Sequence, residues 1–342
     1  MVPRDLTIAA GTTPARYVAS PAVPAARKML RFLSMRAGRR PFASVLCPVD
    51  FSKHSRVALQ FASAVANRSG GTLTALFVND PFLVAAAAAA YNERALAAQS
   101  LEELKRFVHQ VGGGRAGRTA IGTSVALGEP AREIQKAVRK TAATLVVIGS
   151  EGLSGARKLF FGSTTARVLA QTAVPVLAVP PALPGVSLKS MKSTWPGRRI
   201  LAAIDLGPRA SADVETAAAL ARWFGCTLTL VHVVEKTRAP RWLSLGLGEH
   251  DRNRVAKAKA RLSRLAQGCE DVRVEALVVV GETASQLAAL AANTDVGLVI
   301  VTLRGADGLF GDRKGDTTYR VVCEASTPVL AVPAGWRLNH GR

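Results

Sequence analysis

The sequence is poor in aromatic residues, in cysteine and in acidic residues. Only 5% of its 342 residues are Phe, Trp or Tyr, so a core has to be built mainly from Val, Leu, Ile and Ala. The 4 cysteines lie far apart and form no C-x-x-C pair, which argues against a zinc knuckle, a redox dithiol or a dense disulfide framework. This cysteine usage favours a reducing, cytoplasmic location.

Long apolar runs and common catalytic motifs are also missing. The longest apolar stretches, such as residues 81–91 with their run of alanines, are shorter than the roughly 18 to 20 residues that span a bilayer, so no transmembrane helix is expected. The 5 histidines show no metal-ligand spacing. The absence of G-x-x-x-x-G-K-[S/T] excludes P-loop ATPase chemistry, which needs its lysine and its magnesium-binding hydroxyl.

The net charge of +21 comes from 45 Lys and Arg against 24 Asp and Glu. Residues 1–43, 44–183 and 184–342 share this excess equally, although it is densest in the short first region. A dispersed excess with no accompanying motif is typical of a solvated surface, so the sequence predicts no dedicated nucleic-acid binding. Residues 1–43, rich in Ala, Pro and Arg, predict a flexible basic arm. They also fit a targeting presequence, or a mis-called start before Met29 or Met35.

From residue 44 onward, short apolar runs alternate with longer helical patterns. The run Val45–Val49 is followed by an amphipathic helix that Ser52 can cap, and the alternation continues through five strands to Val179. Strands that alternate with helices of 10 or more residues predict a parallel sheet with helices on both faces.

The same pattern then occurs a second time. The closing segment Pro175–Pro180 recurs letter for letter as Pro328–Pro333, and Gly128-Glu129-Pro130 is answered by Gly281-Glu282-Thr283. We therefore predict an α/β chain of two tandem, doubly wound domains, each with a five-stranded parallel sheet. The predicted organisation is an arm (1–43), a first domain (44–180), a linker (181–197), a second domain (198–334) and a C-terminal tail (335–342).

Two features of the first domain predict a ligand cleft at the carboxyl ends of its strands. Asp50 ends the first strand, where its carboxylate could accept hydrogen bonds from a ribose or an adenine, or could simply cap the next helix. A Gly-rich segment, residues 149–152, follows the fourth strand, and Gly162-Ser163-Thr164 comes nine residues later. Glycines allow close backbone approach to phosphates, and the start of a helix offers free N–H groups to an anion.

The spacing G-x2-G-x9-G-S, the opening V-L-x-P-V-D-F-S and the closing P-V-L-x-V-P resemble the universal stress protein family, in its ATP-binding branch. The resemblance implies an adenine nucleotide alpha hydrolase-like fold with strand order 3-2-1-4-5, and ATP with Mg²⁺ as the ligand. It also implies that the nucleotide is held by the following residues: Asp50, the backbone of Val78, Gly149, Gly152, Gly162, Ser163 and Thr164. Glu151 departs from the pattern, since many relatives carry His there.

The second copy departs further, because Thr302 replaces the first glycine and Asp316 replaces the phosphate-binding serine. A carboxylate there would repel a phosphate, so this copy is expected to be a degenerate, structural partner of the first. The resemblance implies a regulatory or stress-survival factor that binds ATP without fast turnover. It also implies that the two domains pair within the chain and that the chain can form a homodimer. No general base is evident, so enzyme activity stays open; the alternatives are a slow ATPase or phosphotransferase, with Glu151 or Asp50 near the phosphates, and a ligand-free interaction scaffold.

Overall fold

The computed structural model describes the following ranges of the chain: 41–81, 84–85, 93–112, 120–150, 163–181, 195–237, 247–292, 295–303 and 317–338. These residues lie in one compact unit. Residues 1–40 of the proposed arm and most of the proposed linker lie outside the described residues. Residues 41–43, which we assigned to the arm, lie in this unit, and Phe42 is buried.

The strands follow the alternation predicted from the sequence. In chain order they are β1 (Ser44–Val49), β2 (Thr72–Asn79), β3 (Ile121–Leu127), β4 (Leu145–Gly149), β5 (Val176–Val179), β6 (Arg199–Ala203), β7 (Thr227–Val234), β8 (Val274–Val280), β9 (Val296–Leu303) and β10 (Val329–Pro333). They form one sheet in the order β3-β2-β1-β4-β5-β10-β9-β6-β7-β8. Within each half all neighbours are parallel, and the predicted order 3-2-1-4-5 is confirmed in both.

The helices cover both faces of this sheet. They are α1 (Lys53–Ser69), α2 (Glu93–Gly112), α3 (Pro130–Lys140), α4 (Ser163–Gln171), α5 (Ala210–Phe224), α6 (Leu247–Gln267), α7 (Thr283–Ala291) and α8 (Thr317–Glu324). Buried side chains of α1, α2, α5 and α6 pack on one face, and those of α3, α4, α7 and α8 pack on the other. Both cores run across the two halves and consist mainly of Val, Leu, Ile and Ala, as the composition predicts.

The first helix shows how local sequence sets these elements. The Ser52 side chain accepts a hydrogen bond from the Ser55 N–H, which caps α1 as predicted. The helix ends at Gly70, whose left-handed φ of 60° a side chain would disfavour. Between these ends the buried face includes Leu59, Phe61 and Val65.

The two halves meet through their last strands, which are antiparallel. Leu177 lies opposite Leu330, and Val176 and Ala178 lie opposite Ala331 and Val329. Because the two segments have the same sequence, this register relates the halves by a local pseudo-two-fold axis between the two leucines. Both edge strands are almost wholly buried by the pairing, which removes two apolar edges from solvent.

Aromatic side chains pack across the boundary between the halves. The Trp195 ring meets Phe61 of the first half and Phe224 of the second edge-to-face, with centroids 5.1 and 5.3 Å away. The Arg68 guanidinium, at the end of α1, donates to the carbonyls of Trp223 and Phe224 at 3.2 and 2.6 Å. A cation of one half thus contacts the negative end of the α5 dipole in the other.

Two kinds of feature are absent from the described residues. No helix among them is long and apolar enough to cross a bilayer. No group of three or more His, Cys, Asp or Glu side chains in these ranges is arranged to hold a metal ion.

Candidate functional site

In the first half, the direction of the strand order reverses between β1 and β4. The chain leaves β1 outwards to β2 and β3, and then returns to β4 on the other side, so a crevice opens at the carboxyl ends of β1 and β4. Val49 pairs with Phe77, which brings the next residues, Asp50 and Val78, side by side. Leu46 pairs with Val146, and this register continued for three residues brings Val49 level with Gly149.

A tight turn holds Asp50 at the end of β1. Its Oδ1 accepts a hydrogen bond from the Ser52 N–H at 3.1 Å. Between them Phe51 has a φ of 62°, a left-handed conformation that costs a non-glycine residue about 1–2 kcal/mol. Its ring packs against Phe77 and Phe107, at centroid distances of 4.4 and 5.5 Å, and this packing offsets the strain. Ser52 caps the helix, so the alternative in which Asp50 is the cap is wrong.

The backbone of β2 presents a carbonyl to this crevice. The Gly128 N–H donates to the Asn79 carbonyl at 3.1 Å, so the Asn79 carbonyl points towards β3. Successive carbonyls of a strand point to opposite neighbours, and the Val78 carbonyl therefore points towards β1. It lies one level beyond Val49, the last residue of that strand. The arrangement suits an acceptor for a ligand donor above the end of β1.

The fourth strand and the following helix complete the edge. Gly149 is the last residue of β4, and its carbonyl accepts a hydrogen bond from the Thr165 hydroxyl at 3.0 Å. This bond ties the start of α4 to the end of β4. Ser163 and Thr164, the first two residues of α4, are exposed and half-buried. The hydroxyls of these two residues and the free N–H groups of the first turn are donors that an anion at this edge could use.

Glu129 links α4 to α3. This role was not predicted from the sequence, although Gly-Glu occurs in both copies of the repeat. The Glu129 carboxylate accepts from the backbone of Ala131 and Arg132 at the start of α3, and from Arg167 of α4 at 3.0 Å. Partial desolvation raises the pKa of Glu129, but the hydrogen bonds together outweigh it and hold the pKa below its usual range. Glu282 makes the same cap and pairs with Arg320 in the second half.

Five of the seven residues predicted to hold a ligand lie on this edge, and the structure brings them together. They are Asp50, Val78, Gly149, Ser163 and Thr164. The remaining two, Gly152 and Gly162, lie outside the described residues, as does Glu151.

The corresponding edge of the second half is built differently. Thr302 stands where the first half has Gly149, and its hydroxyl hydrogen-bonds to the Asp213 carboxylate on α5. Asp213 takes the position of Ala58, a fully buried residue of α1. Burial raises the pKa of Asp213, which Thr302 and the nearby Arg209 offset only in part. The side chain of Thr302 and the half-buried carboxyl of Asp213 therefore stand where the first half has a glycine and a buried alanine.

Two acidic residues of the second copy, Asp205 and Asp316, were singled out from the sequence. Asp205, the counterpart of Asp50, is exposed at the end of β6. Asp316, with which we explained the loss of a phosphate site, lies outside the described residues. All four cysteines are free.

Comparisons with known proteins agree with these observations. A model described as the universal stress protein family matches residues 41–180 and 197–333. A universal stress protein of Mycolicibacterium smegmatis is 26% identical over 302 residues, which cover 84% of this chain and 96% of the relative. Universal stress protein MJ0531 of Methanocaldococcus jannaschii is 26% identical over 152 residues, 42% of this chain and 86% of the relative.

A solved structure shows the same fold across both halves. The crystal structure of a universal stress protein from Archaeoglobus fulgidus superposes with a TM-score of 0.61 at 21% sequence identity. The match covers 85% of this chain and 96% of that chain.

Proposed function

The chain belongs to the universal stress protein family. We propose that its first half binds an adenine nucleotide, ATP with Mg²⁺. We propose further that it acts as a regulatory or stress-survival factor without fast turnover. The observation that carries the proposal is the convergence of Asp50, Val78 and Gly149 at the switch point of the sheet, with Ser163 and Thr164 beside them.

Each residue has a role that follows from its chemistry. The Asp50 carboxylate accepts hydrogen bonds from the ribose hydroxyls, and the Val78 carbonyl accepts one from the base. Gly149 has no side chain to keep the phosphates away, and Ser163 and Thr164 donate to the phosphates. We include Gly152 and Gly162 among the phosphate-binding residues because of their spacing from Gly149 in the sequence. Bound Mg²⁺ would neutralise phosphate charge.

The second half has a structural role in this proposal. Thr302 and Asp213 take up the space that a nucleotide would need, while β10 covers the open edge of β5. We propose that residues 44–180 form the nucleotide-binding domain and that residues 198–334 form the degenerate domain. We also propose that the protein is cytoplasmic. A homodimer remains a prediction.

The proposal is tested by titration with ATP and Mg²⁺ of the wild type and of two matched variants, Asp50→Ala and Asp205→Ala. A hydrogen bond to a charged group contributes about 1.5–3 kcal/mol, so Asp50→Ala should weaken binding by roughly 10- to 100-fold. Asp205→Ala makes the same change at the degenerate edge and should bind as the wild type does. Circular dichroism of both variants checks that they are folded.

Three outcomes would contradict parts of the proposal. Equal losses in the two variants would mean that both halves bind the nucleotide. Absence of any binding by the folded wild type would favour the ligand-free scaffold. Sustained phosphate release from ATP would replace the binding role with slow ATPase activity.

A further inference from the structure

A buried polar pair is present beside the crevice of the first half. Asn79, the last residue of β2, is only 3% exposed, and its Oδ1 accepts a hydrogen bond from the Ser100 hydroxyl of α2 at 3.1 Å. Val234 takes the same place at the end of β7 and is equally buried. The fold therefore accommodates an apolar side chain at this position. Because burying an amide is costly, its presence in the first half needs a reason other than the fold.

The backbone around the pair is the same in both halves. The Gly128 N–H donates to the Asn79 carbonyl and the Gly281 N–H to the Val234 carbonyl, each at 3.1 Å. The strand ends therefore run the same way, and the preceding carbonyl, that of Val78 in the first half, faces the crevice. What Asn79 adds is a second hydrogen bond on the residue that follows the Val78 carbonyl, made by its side chain to α2.

The second half ties its helix to the strand by a different contact. Arg254 of α6 donates to the backbone carbonyl of Glu235, one residue beyond β7, at 2.9 Å. This bond is exposed and uses a backbone acceptor at the edge. The tie between Asn79 and Ser100 is buried, and it is made by side chains alone. It can therefore fix α2 and the end of β2 without using a backbone carbonyl of the crevice.

We infer that Asn79, held by Ser100, is a positioning residue that aims the Val78 carbonyl at the exocyclic amino group of adenine. This inference rests on the proposed function and deepens it, because it names the group that selects the base. A purine with a carbonyl oxygen in place of that amino group, as in inosine, would bring two acceptors together and would be rejected. Buried pairs of this kind specify one geometry, which a directional hydrogen bond to the base requires.

The test compares the binding of ATP and of ITP, which differ at this group of the base. The wild type should prefer ATP by about tenfold or more, since one hydrogen bond contributes about 0.5–1.5 kcal/mol and the opposed acceptors in ITP add to the difference. Asn79→Val introduces the side chain of the second half, and it should weaken ATP binding by about tenfold while ITP binding changes little. Ser100→Ala removes only a hydroxyl and should lower the preference in the same direction.

A matched control separates positioning from loss of stability. Thr327→Val also removes a buried hydrogen bond, the one at 2.7 Å from the Thr327 hydroxyl to the Ala291 carbonyl, but in the second half. It should leave the ratio of ATP to ITP affinity unchanged. Urea unfolding of all three variants shows whether their losses of stability are comparable.

The outcomes distinguish this inference from the proposed function. If the wild type binds neither nucleotide, the proposed function fails and the inference with it. If the wild type prefers ATP but Asn79→Val and Ser100→Ala keep that preference, the inference is wrong and the proposed function stands. Should Asn79→Val not fold, an unchanged ratio in Ser100→Ala still overturns the inference.

Discussion

Replacing Arg68 with alanine should weaken the union of the two halves. Arg68 belongs to α1 of the first half, and its guanidinium donates to two carbonyls at the end of α5 in the second half. Its charge also lies 5.4 Å from the ring centre of Trp223 and 5.5 Å from that of Phe224. The variant loses all of these contacts and leaves the end of α5 without this cation.

The magnitude follows from the exposure of the site. A hydrogen bond to a charged group contributes about 1.5–3 kcal/mol, but Arg68 is exposed, and contacts at such a site are worth much less. A cation near the end of a helix adds about 0.3–1 kcal/mol, and an exposed cation–π contact about 0.5–1 kcal/mol. We therefore expect Arg68→Ala to lower the free energy of unfolding by about 1–2 kcal/mol.

Urea unfolding followed by tryptophan fluorescence measures this change, because Trp195, Trp223 and Trp336 lie in the aromatic cluster between the halves. Arg106→Ala is the control: it removes another exposed arginine, whose ion pair with Glu103 lies within α2. That control should change the free energy of unfolding by less than about 0.5 kcal/mol. If Arg68→Ala and Arg106→Ala are equally stable, Arg68 does not hold the two halves together.

Two further predictions concern the start of α4 and the glutamate caps. Ser163→Asp introduces the residue found at the corresponding position of the second half. Its charge should repel phosphate and weaken ATP binding by roughly tenfold or more, while adenosine binding is maintained. Stability should also be maintained, because a carboxylate at the start of a helix interacts favourably with the helix dipole. Equal losses for ATP and adenosine in calorimetry would contradict this. Because the pKa of Glu129 is lowered in the folded protein, its contribution is present above the ordinary glutamate pKa and is lost as the pH falls through the folded value. Glu129→Gln should therefore cost roughly 0.5–1 kcal/mol at neutral pH and nothing in acid, where urea unfolding should show the two proteins alike.

Much of the fold follows from features that are local in the sequence. Apolar runs of strand length, amphipathic helices and the repeat of residues 175–180 predict two five-stranded halves, because burial of alternating elements leaves few arrangements of a parallel sheet. Ser52 caps α1 for the same local reason. The pairing of the two halves through β5 and β10 was harder to predict from the sequence than the fold of each half. Two identical apolar edge strands with no charged residue need a cover, and each covers the other.

The chemistry of the edge was only partly predictable, because it depends on contacts between residues far apart in sequence. Asp50 and Gly149 follow strands, so their place at the switch point could be inferred. Asn79 and Ser100 meet only when α2 packs on β2, and nothing in the local pattern marks the pair. Similarly, Thr302 was recognised as a lost glycine, but its bond to Asp213 requires α5 to lie over β9.

The number of ATP molecules bound per chain is the decisive test of nucleotide binding by the first half alone. Calorimetric titration with ATP and Mg²⁺, after removal of any nucleotide retained from purification, gives this number. We expect one ATP per chain, with binding lost or strongly weakened in Asp50→Ala. Two per chain would contradict a degenerate second half, and none would contradict nucleotide binding itself.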